Sequence, residues 1–284
     1  MEVKKIISNQ QRKLSKIIEQ NLSFGYSKIQ KLIRSKNIKV NGKRVSKDEN
    51  LFEGDVVEIY YQTTIPNIIY EDKDIIVVFK PRQIETVSDV KDDYLKVLEK
   101  YKNEKLFAVH RLDRNTEGLV IFAKNISAKQ SLDEAFKNRA IHKHYLAWVV
   151  GVPKKQKDNL IAYLKKDEKK SFVYVSDKQQ SGYDEIKTNY QVIKTNEETS
   201  ILDVELLTGK THQIRAHLAH IGHAIIGDEK YGLMDINKKY KKRFQCLCAY
   251  KIIFEFSDKN YLSHLNSKIV EIDKNNIDFF KNIT

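Results

Sequence analysis

His110-Arg111-Leu112-Asp113-Arg114-Asn115-Thr116-Glu117-Gly118-Leu119 leads straight into Val120-Ile121-Phe122-Ala123, an uninterrupted apolar run. The run reads as a buried strand, and the segment before it sets one aspartate between two arginines. A carboxylate so close to a core is costly unless it is paired, and the flanking guanidinium groups favour its charged form. A single loop aspartate tied to arginine is more often structural than chemical. The segment acquires meaning only alongside others.

One such segment is Leu206-Leu207-Thr208-Gly209-Lys210-Thr211-His212-Gln213-Ile214-Arg215-Ala216-His217-Leu218. A strand ends at Gly209 and a helix is expected from about Thr211, which sets Lys210 beside free backbone amides, a position suited to a phosphate. Gly209-Lys210-Thr211 looks like the end of a nucleotide-binding P-loop. The earlier glycine of that motif would fall at position 204, which is Val204, so the motif is absent. On the expected helix, Ile214, Leu218 and Ile221 form an apolar stripe and leave Arg215 on a neighbouring face that can turn toward a cleft. A third segment, Lys143-His144-Tyr145-Leu146-Ala147-Trp148-Val149-Val150-Gly151, reads as a strand with Tyr145 and Ala147 on one face. A tyrosine there is ordinarily core with its hydroxyl satisfied.

Outward from these segments, strand-like runs (Ile75–Phe79, Leu119–Ala123, Tyr145–Val150, Leu202–Leu207, Lys251–Phe256) alternate with helical ones (Asp92–Tyr101, Ser127–Ala140, His212–Ile221). Several strands alternate in polarity, as in a sheet with one wetter face. The expected fold is α+β, with a mixed, mainly antiparallel sheet and flanking helices over residues 68–284. Residues 154–181 read as a polar excursion holding one short strand, Phe172–Val175. Residues 1–62 read as a separate small α+β domain. Leu14, Ile17, Ile18 and Leu22 recur at helical spacing, and a second helix is expected to open at Ser27, capping the amide of Gln30. Asn41-Gly42 between Ile38–Val40 and Lys43–Val45 signals a hairpin, because both residues tolerate the positive φ of a type I′ turn. A strand, Asp55–Tyr60, follows, and Gln62–Asn67 reads as a linker.

The chain has 284 residues, 51 Lys or Arg, 38 Asp or Glu and a net charge of +13. Residues 1–62 carry +6 of that charge, a density about three times that of the remainder. Lys28, Lys31 and Arg34 on the second helix, with Lys39, Lys43 and Arg44 on the hairpin, make a basic surface suited to nucleic acid. No apolar run approaches the roughly 20 residues of a membrane span, and no secretory signal opens the chain. Cys246 and Cys248 cannot form a disulfide framework, which fits a reducing cytoplasm. His212, His217, His220 and His223 invite a metal reading, but no accompanying carboxylate or His-Glu-x-x-His pattern supports it. No metal is expected.

The first 60 residues, from about 11 onward, resemble the small RNA-binding domain of the fourth protein of the small ribosomal subunit. HRLDRNTEGL, KHYLAWVVG and LLTGKTHQIRAHLAHIGHAIIGDEKYG together, over residues 68–256, resemble the RluA-type pseudouridine synthases. With the leading module, the chain is most similar to the subgroup that acts on large-subunit ribosomal RNA. The resemblance implies that Asp113 is the catalytic aspartate, Tyr145 the ring packed on the target base and Arg215 the ion-pair partner of Asp113. It implies that Arg111 helps displace the target nucleotide from its stack. Glu117, Lys210, Gln83 and Cys248 depart from the residues frequent in the family (Ser, Arg, Gly and His) and bear on substrate choice.

The chemistry needs these side-chain types. Isomerising uridine breaks the bond from N1 to the sugar, turns the uracil over and rejoins it through C5, with the base out of its stack. An ionised Asp113 can attack the sugar or take a proton from it, and Asp113 or Tyr145 can take the proton from C5. No step requires a cofactor. The implied partner is RNA, the enzyme a cytoplasmic monomer. Two other classes compete. An inactive RNA-binding or assembly factor would lack the aspartate, and a metal-dependent nuclease would be stopped by a chelator.

Overall fold

The computed structural model describes residues 2–22, 24–61, 65–89 and 93–283. Met1–Pro66 and Val87–Asn103 form one unit; Asn67–Thr86 and Glu104–Thr284 form a second.

The first unit opens with β1 (Glu2–Ile7), β2 (Arg12–Lys13), α1 (Leu14–Asn21) and α2 (Tyr26–Arg34). It continues through β3 (Ile38–Val40), β4 (Lys43–Arg44), β5 (Asn50–Leu51) and β6 (Val56–Tyr61). Four strands make an antiparallel sheet in the order β1-β6-β3-β4. The apolar stripes of both helices, including Leu14, Ile18, Ile29 and Ile33, bury against Ile38, Val57 and Ile59 of the sheet. Asn41 and Gly42 have φ of 48° and 79°, the left-handed pair that a two-residue I′ hairpin demands. The second helix starts earlier than the expected cap at Ser27. The Gly25 carbonyl accepts the amides of Lys28 and Ile29, so the first turn closes on Gly25 and Ser27 lies within the helix.

The second unit begins with β7 (Asn67–Glu71) and β8 (Ile75–Lys80), so strand starts at Asn67, where a linker was expected. Residues 62–64 of that expected linker lie outside the described residues. Helix α3 (Tyr94–Lys102) follows and groups with the first unit; Asp93 caps it by accepting the Lys96 amide at 2.8 Å. The expected start at Asp92 also lies outside the described residues. Then come β9 (Phe107–Ala108), β10 (Glu117–Ala123), α4 (Ile126–Lys137) and β11 (Ile141–Val150). The remaining elements are β12 (Lys157–Asp167), β13 (Phe172–Ser176), β14 (Asp184–Thr195), β15 (Thr199–Leu206), α5 (Gln213–His220), α6 (Met234–Lys239), β16 (Leu247–Phe254) and β17 (Ile269–Glu271).

One sheet in the order β13-β12-β14-β15-β11-β16-β10-β8-β7 spans the unit, with β17 on β16 and β9 on β10. Every pairing is antiparallel except β10 with β16, which are parallel over Glu117↔Cys248 and Gly118↔Ala249. The fold is thus α+β with a mixed, mainly antiparallel sheet. Ala128, Leu132 and Ala135 of α4 pack with Ile121, Ile252 and Phe254 in one core; Leu146, Trp148, Cys248 and Phe279 pack in another.

Residues 154–181 hold the expected strand at Phe172, here β13, and a long strand that was not expected, β12; the two form a hairpin that continues the sheet through β14. Only alternate residues of β12 are shielded, and Ala162 and Leu164 pack with Val173, Ile186 and Ala216 of α5. One apolar face, thinned by lysines on the other, was enough to fold the hairpin and too sparse to reveal it. Its packing on Ala216 steadies the helix that carries Arg215.

Gly118 is where β10 and β16 meet. Its φ is 127°, and a Cβ there would stand 2.2 Å from the Ala249 carbonyl oxygen and 2.5 Å from the Ala249 nitrogen. Gly118→Ala is expected to cost about 3 kcal/mol or more, read as a lower thermal midpoint. A variant as stable as wild type would show that this close approach is not required.

Candidate active site

The segment from His110 to Thr116 joins β9 to β10 and is pinned from several sides. Neutral His110, whose imidazole burial pushes down to about 3, accepts the Ile121 amide at Nε2 across 2.9 Å. The Leu112 amide donates to Thr86 Oγ1 at 3.0 Å, and that hydroxyl donates back to the Leu112 carbonyl at 3.1 Å. The fully buried Lys80 donates to the carbonyls of Pro81, Ile84 and Arg114 at 2.9, 2.9 and 3.3 Å. Gln245 donates to Thr116 Oγ1 at 2.8 Å. These bonds fix the backbone on both sides of Asp113 and leave its side chain facing a cleft of about 680 Å³.

Arg215 reaches Asp113 from α5, its Nη1 donating to Oδ2 at 2.9 Å. The other edge of the guanidinium is held by Asp228, with Nε to Oδ2 at 2.6 Å and Nη2 to Oδ1 at 2.9 Å. Asp228 is fully buried and also accepts the amides of Lys230 and Tyr231 at 2.8 and 3.0 Å. Burial opposes the charge on both partners, but their pairing outweighs it. Asp228 lies below the ordinary carboxylate range, and Arg215 lies above the ordinary guanidinium range. A bidentate grip on the far side leaves Arg215 one orientation toward Asp113.

Tyr145 lines the cleft and is nearly fully buried. Burial, together with the charge of Asp113, raises its phenol above the ordinary tyrosine range, so it stays protonated at neutral pH. His212 also lines the cleft, with left-handed backbone at φ 54°. Its Nδ1 lies 3.0 Å from the Tyr231 hydroxyl and its Nε2 3.9 Å from Asp113 Oδ2. Tyr231 accepts the Val173 amide at 2.9 Å, which links β13 to the site.

Asp113, Tyr145 and Arg215 therefore meet at one cleft, as do Arg111 and Lys210. The Arg111 side chain is 70% exposed, 3.8 Å from Glu85. Lys210, expected as a phosphate contact, pairs through Nζ with Asp184 at 2.7 Å, and its amide donates to Gln213 Oε1 at 3.1 Å. The basic residues of the first unit lie on α2 and its hairpin. Lys31, Arg34, Lys43 and Arg44 are exposed, Lys28 stands 3.8 Å over the Phe24 ring, and Lys39 lies 5.2 Å from the Tyr60 ring centre.

The four histidines weighed as metal ligands take separate partners: Tyr231, Thr188, Asp177 and the Val150 carbonyl. Among the described residues, the side chains close enough to share an ion are Asp72, Asp74 and His264, outside the cleft. Their carboxylates already accept from Tyr70, Tyr261, Asn125 and backbone amides.

Two partners were not assigned from sequence. Asp228 lies within the GDEKYG run, where an acid right after a turn glycine was the available signal. Glu117, where serine is frequent, pairs with Arg82, next to Gln83 with φ 69°, a left-handed position that suits the glycine frequent there.

Asp228→Asn removes the counter-charge of a buried guanidinium, and a loss of about 3 kcal/mol is expected. Because the folded value of Asp228 is depressed below 3.8, its contribution is present above that pH and lost as the pH falls through the still lower folded value. Denaturant melts should therefore show the full deficit at pH 6–7 and a shrinking one below pH 4. A deficit constant across that range would contradict the charge assignment.

The profile of the RNA pseudouridylate synthase family matches residues 74–220. An uncharacterised RNA pseudouridine synthase of Aquifex aeolicus is 35% identical over 236 residues, covering 74% of this chain and 73% of that protein. Ribosomal large subunit pseudouridine synthase C of Vibrio vulnificus is 32% identical over 229 residues, covering 72% and 71%. The solved structure of human RNA pseudouridylate synthase domain containing 1 superposes with a TM-score of 0.61 at 22% identity, covering 75% of this chain and 86% of that one. A cleft built on a clamped aspartate, in a chain whose sequence and fold both align with these proteins, makes it a member of the RNA pseudouridylate synthase family, an isomerase acting on uridine in RNA.

Proposed function

We propose that the chain converts specific uridines of large-subunit ribosomal RNA to pseudouridine, with Asp113 as the reacting group and no cofactor. The observation that carries this is the Asp113 carboxylate, turned to an open cleft and held at 2.9 Å by an arginine that buried Asp228 immobilises. Two relatives named ribosomal large subunit pseudouridine synthase C, from Vibrio vulnificus and Buchnera aphidicola, support the choice of RNA.

The exposed cations of the first unit bind RNA phosphates and give affinity without reading sequence. At the cleft, Arg111 enters the stack as the uridine leaves it, and the Tyr145 ring receives the base. Asp113 begins the reaction at the sugar, as nucleophile or as base, while the bond from N1 to C1′ breaks. The freed uracil turns over and C5 bonds to C1′, as the Asp113–C1′ ester bond breaks on the nucleophile route, or with Asp113 returning the proton it took from the sugar on the base route. The proton on C5 then leaves, and N1 ends protonated. A phenol raised by burial is a weak acceptor for that proton, which favours Asp113 over Tyr145 in this step. Arg215 keeps the carboxylate aimed at the reacting nucleotide. The enzyme works as a cytoplasmic monomer on this reading.

Pseudouridine mapping in cells lacking this protein tests the substrate. The expected result is loss at one or a few positions of large-subunit ribosomal RNA, restored by the wild-type chain. An unchanged large-subunit map with loss confined to transfer RNA would overturn the assignment.

A further inference from the structure

Lys143 is a cleft residue for which the chemistry above has no use. It sits on β11, two residues before Tyr145, and lines the same cleft. Its ammonium, 5.1 Å from the Phe136 ring centre, has no carboxylate and no hydrogen-bond acceptor among the described residues. Burial with nothing to offset it draws the group down to about 8. Three other cleft cations are partnered: Arg215 has two carboxylates, Lys210 has Asp184, and Lys230 donates to the Ser171 carbonyl at 2.6 Å. A partly buried ammonium without a counter-charge is a cost to the free protein, and folds retain such costs where a ligand removes them.

Beside it is a turn with free backbone donors. Nζ lies 3.9 Å from the position a Cβ on Gly209 would take, so the absent side chain leaves the turn open to it. In that turn the amides of Gly209 and Thr211 donate to no acceptor among the described residues, whereas the Lys210 amide is engaged by Gln213. The turn leads into α5, whose N-terminal end favours negative charge.

We infer that Lys143 and the Gly209–Thr211 turn bind a phosphodiester of the RNA strand flanking the uridine held at Tyr145 and Asp113. This rests on the reading of the cleft as the uridine site. Such a contact would anchor the backbone at the cleft, giving register at the reacting nucleotide rather than overall attraction. Lys210, the expected phosphate ligand, is left to its pair with Asp184.

Lys143→Met keeps the aliphatic stem against Phe136 and removes the charge, and Lys143→Arg keeps the charge. RNA binding is read by filter titration over a range of salt, with a large-subunit ribosomal RNA transcript and, separately, a short oligouridylate. Thermal midpoints of the free proteins are read alongside. Lys143→Met is expected to melt higher than wild type and to bind both RNAs about tenfold more weakly. Its salt dependence should be shallower by about 0.7–1 in log–log slope, with Lys143→Arg close to wild type. A Met variant that melts lower makes Lys143 structural and overturns the inference. Unchanged affinity and slope overturn it equally. If the oligouridylate shows the expected change while the wild-type enzyme forms no pseudouridine in the large-subunit transcript, the substrate assignment fails and the phosphate site stands.

Discussion

The buried guanidinium of Arg215, shared between Asp113 and Asp228, is the interaction around which the second unit is arranged. Two carboxylates and one arginine taken from water carry a large desolvation cost, which only near-ideal geometry and further hydrogen bonds offset. The surroundings supply both. Asp228 has the amides of Lys230 and Tyr231, α5 is held by the apolar face of the β12–β13 hairpin, and the Asp113 segment is tied down through Lys80, Thr86 and Gln245. Asp113 keeps the most solvent access, with 26% of its side chain exposed against 7% for Arg215 and none for Asp228. The charge is thus buried where it positions and open where it reacts.

The topology explains why three distant segments converge. The parallel meeting of β10 and β16 brings the loop before β10 next to β11, where Tyr145 sits across from Ala249. β11 also pairs with β15, whose end feeds the turn into α5 and so delivers Arg215. Gly118 lets β10 approach Ala249 closely enough for this junction to form. A stable sheet thereby holds an aspartate, a tyrosine and an arginine that are separated by up to 102 positions in sequence.

Asp113, Tyr145 and Arg215 were singled out by the resemblance of three segments taken together, because each residue alone reads as ordinary structure. The Asn41-Gly42 hairpin is different: it is legible locally because the turn is decided by two residues. What escaped depends on partners far away or on weak patterning. Asp228 looks like any turn acid until Arg215 folds onto it. Nothing local to Lys210 shows that Asp184, 26 residues earlier, pairs with its ammonium. β12 hid behind its lysines, and α2 opens before Ser27 because the Gly25 carbonyl accepts the first-turn amides.

The central claim is that the Asp113 carboxylate performs the isomerisation while the rest of the cleft positions and binds. Asp113→Asn retains size and much of the hydrogen bonding but cannot act as a nucleophile or base. The direct measurement is single-turnover release of tritium from C5 of labelled uridine in large-subunit ribosomal RNA, with enzyme in excess and an RNA-binding curve on the same preparation. Binding at wild-type strength with tritium release at background is the predicted result. Appreciable release by the folded, RNA-binding variant would contradict the assignment of Asp113 and the mechanism built on it.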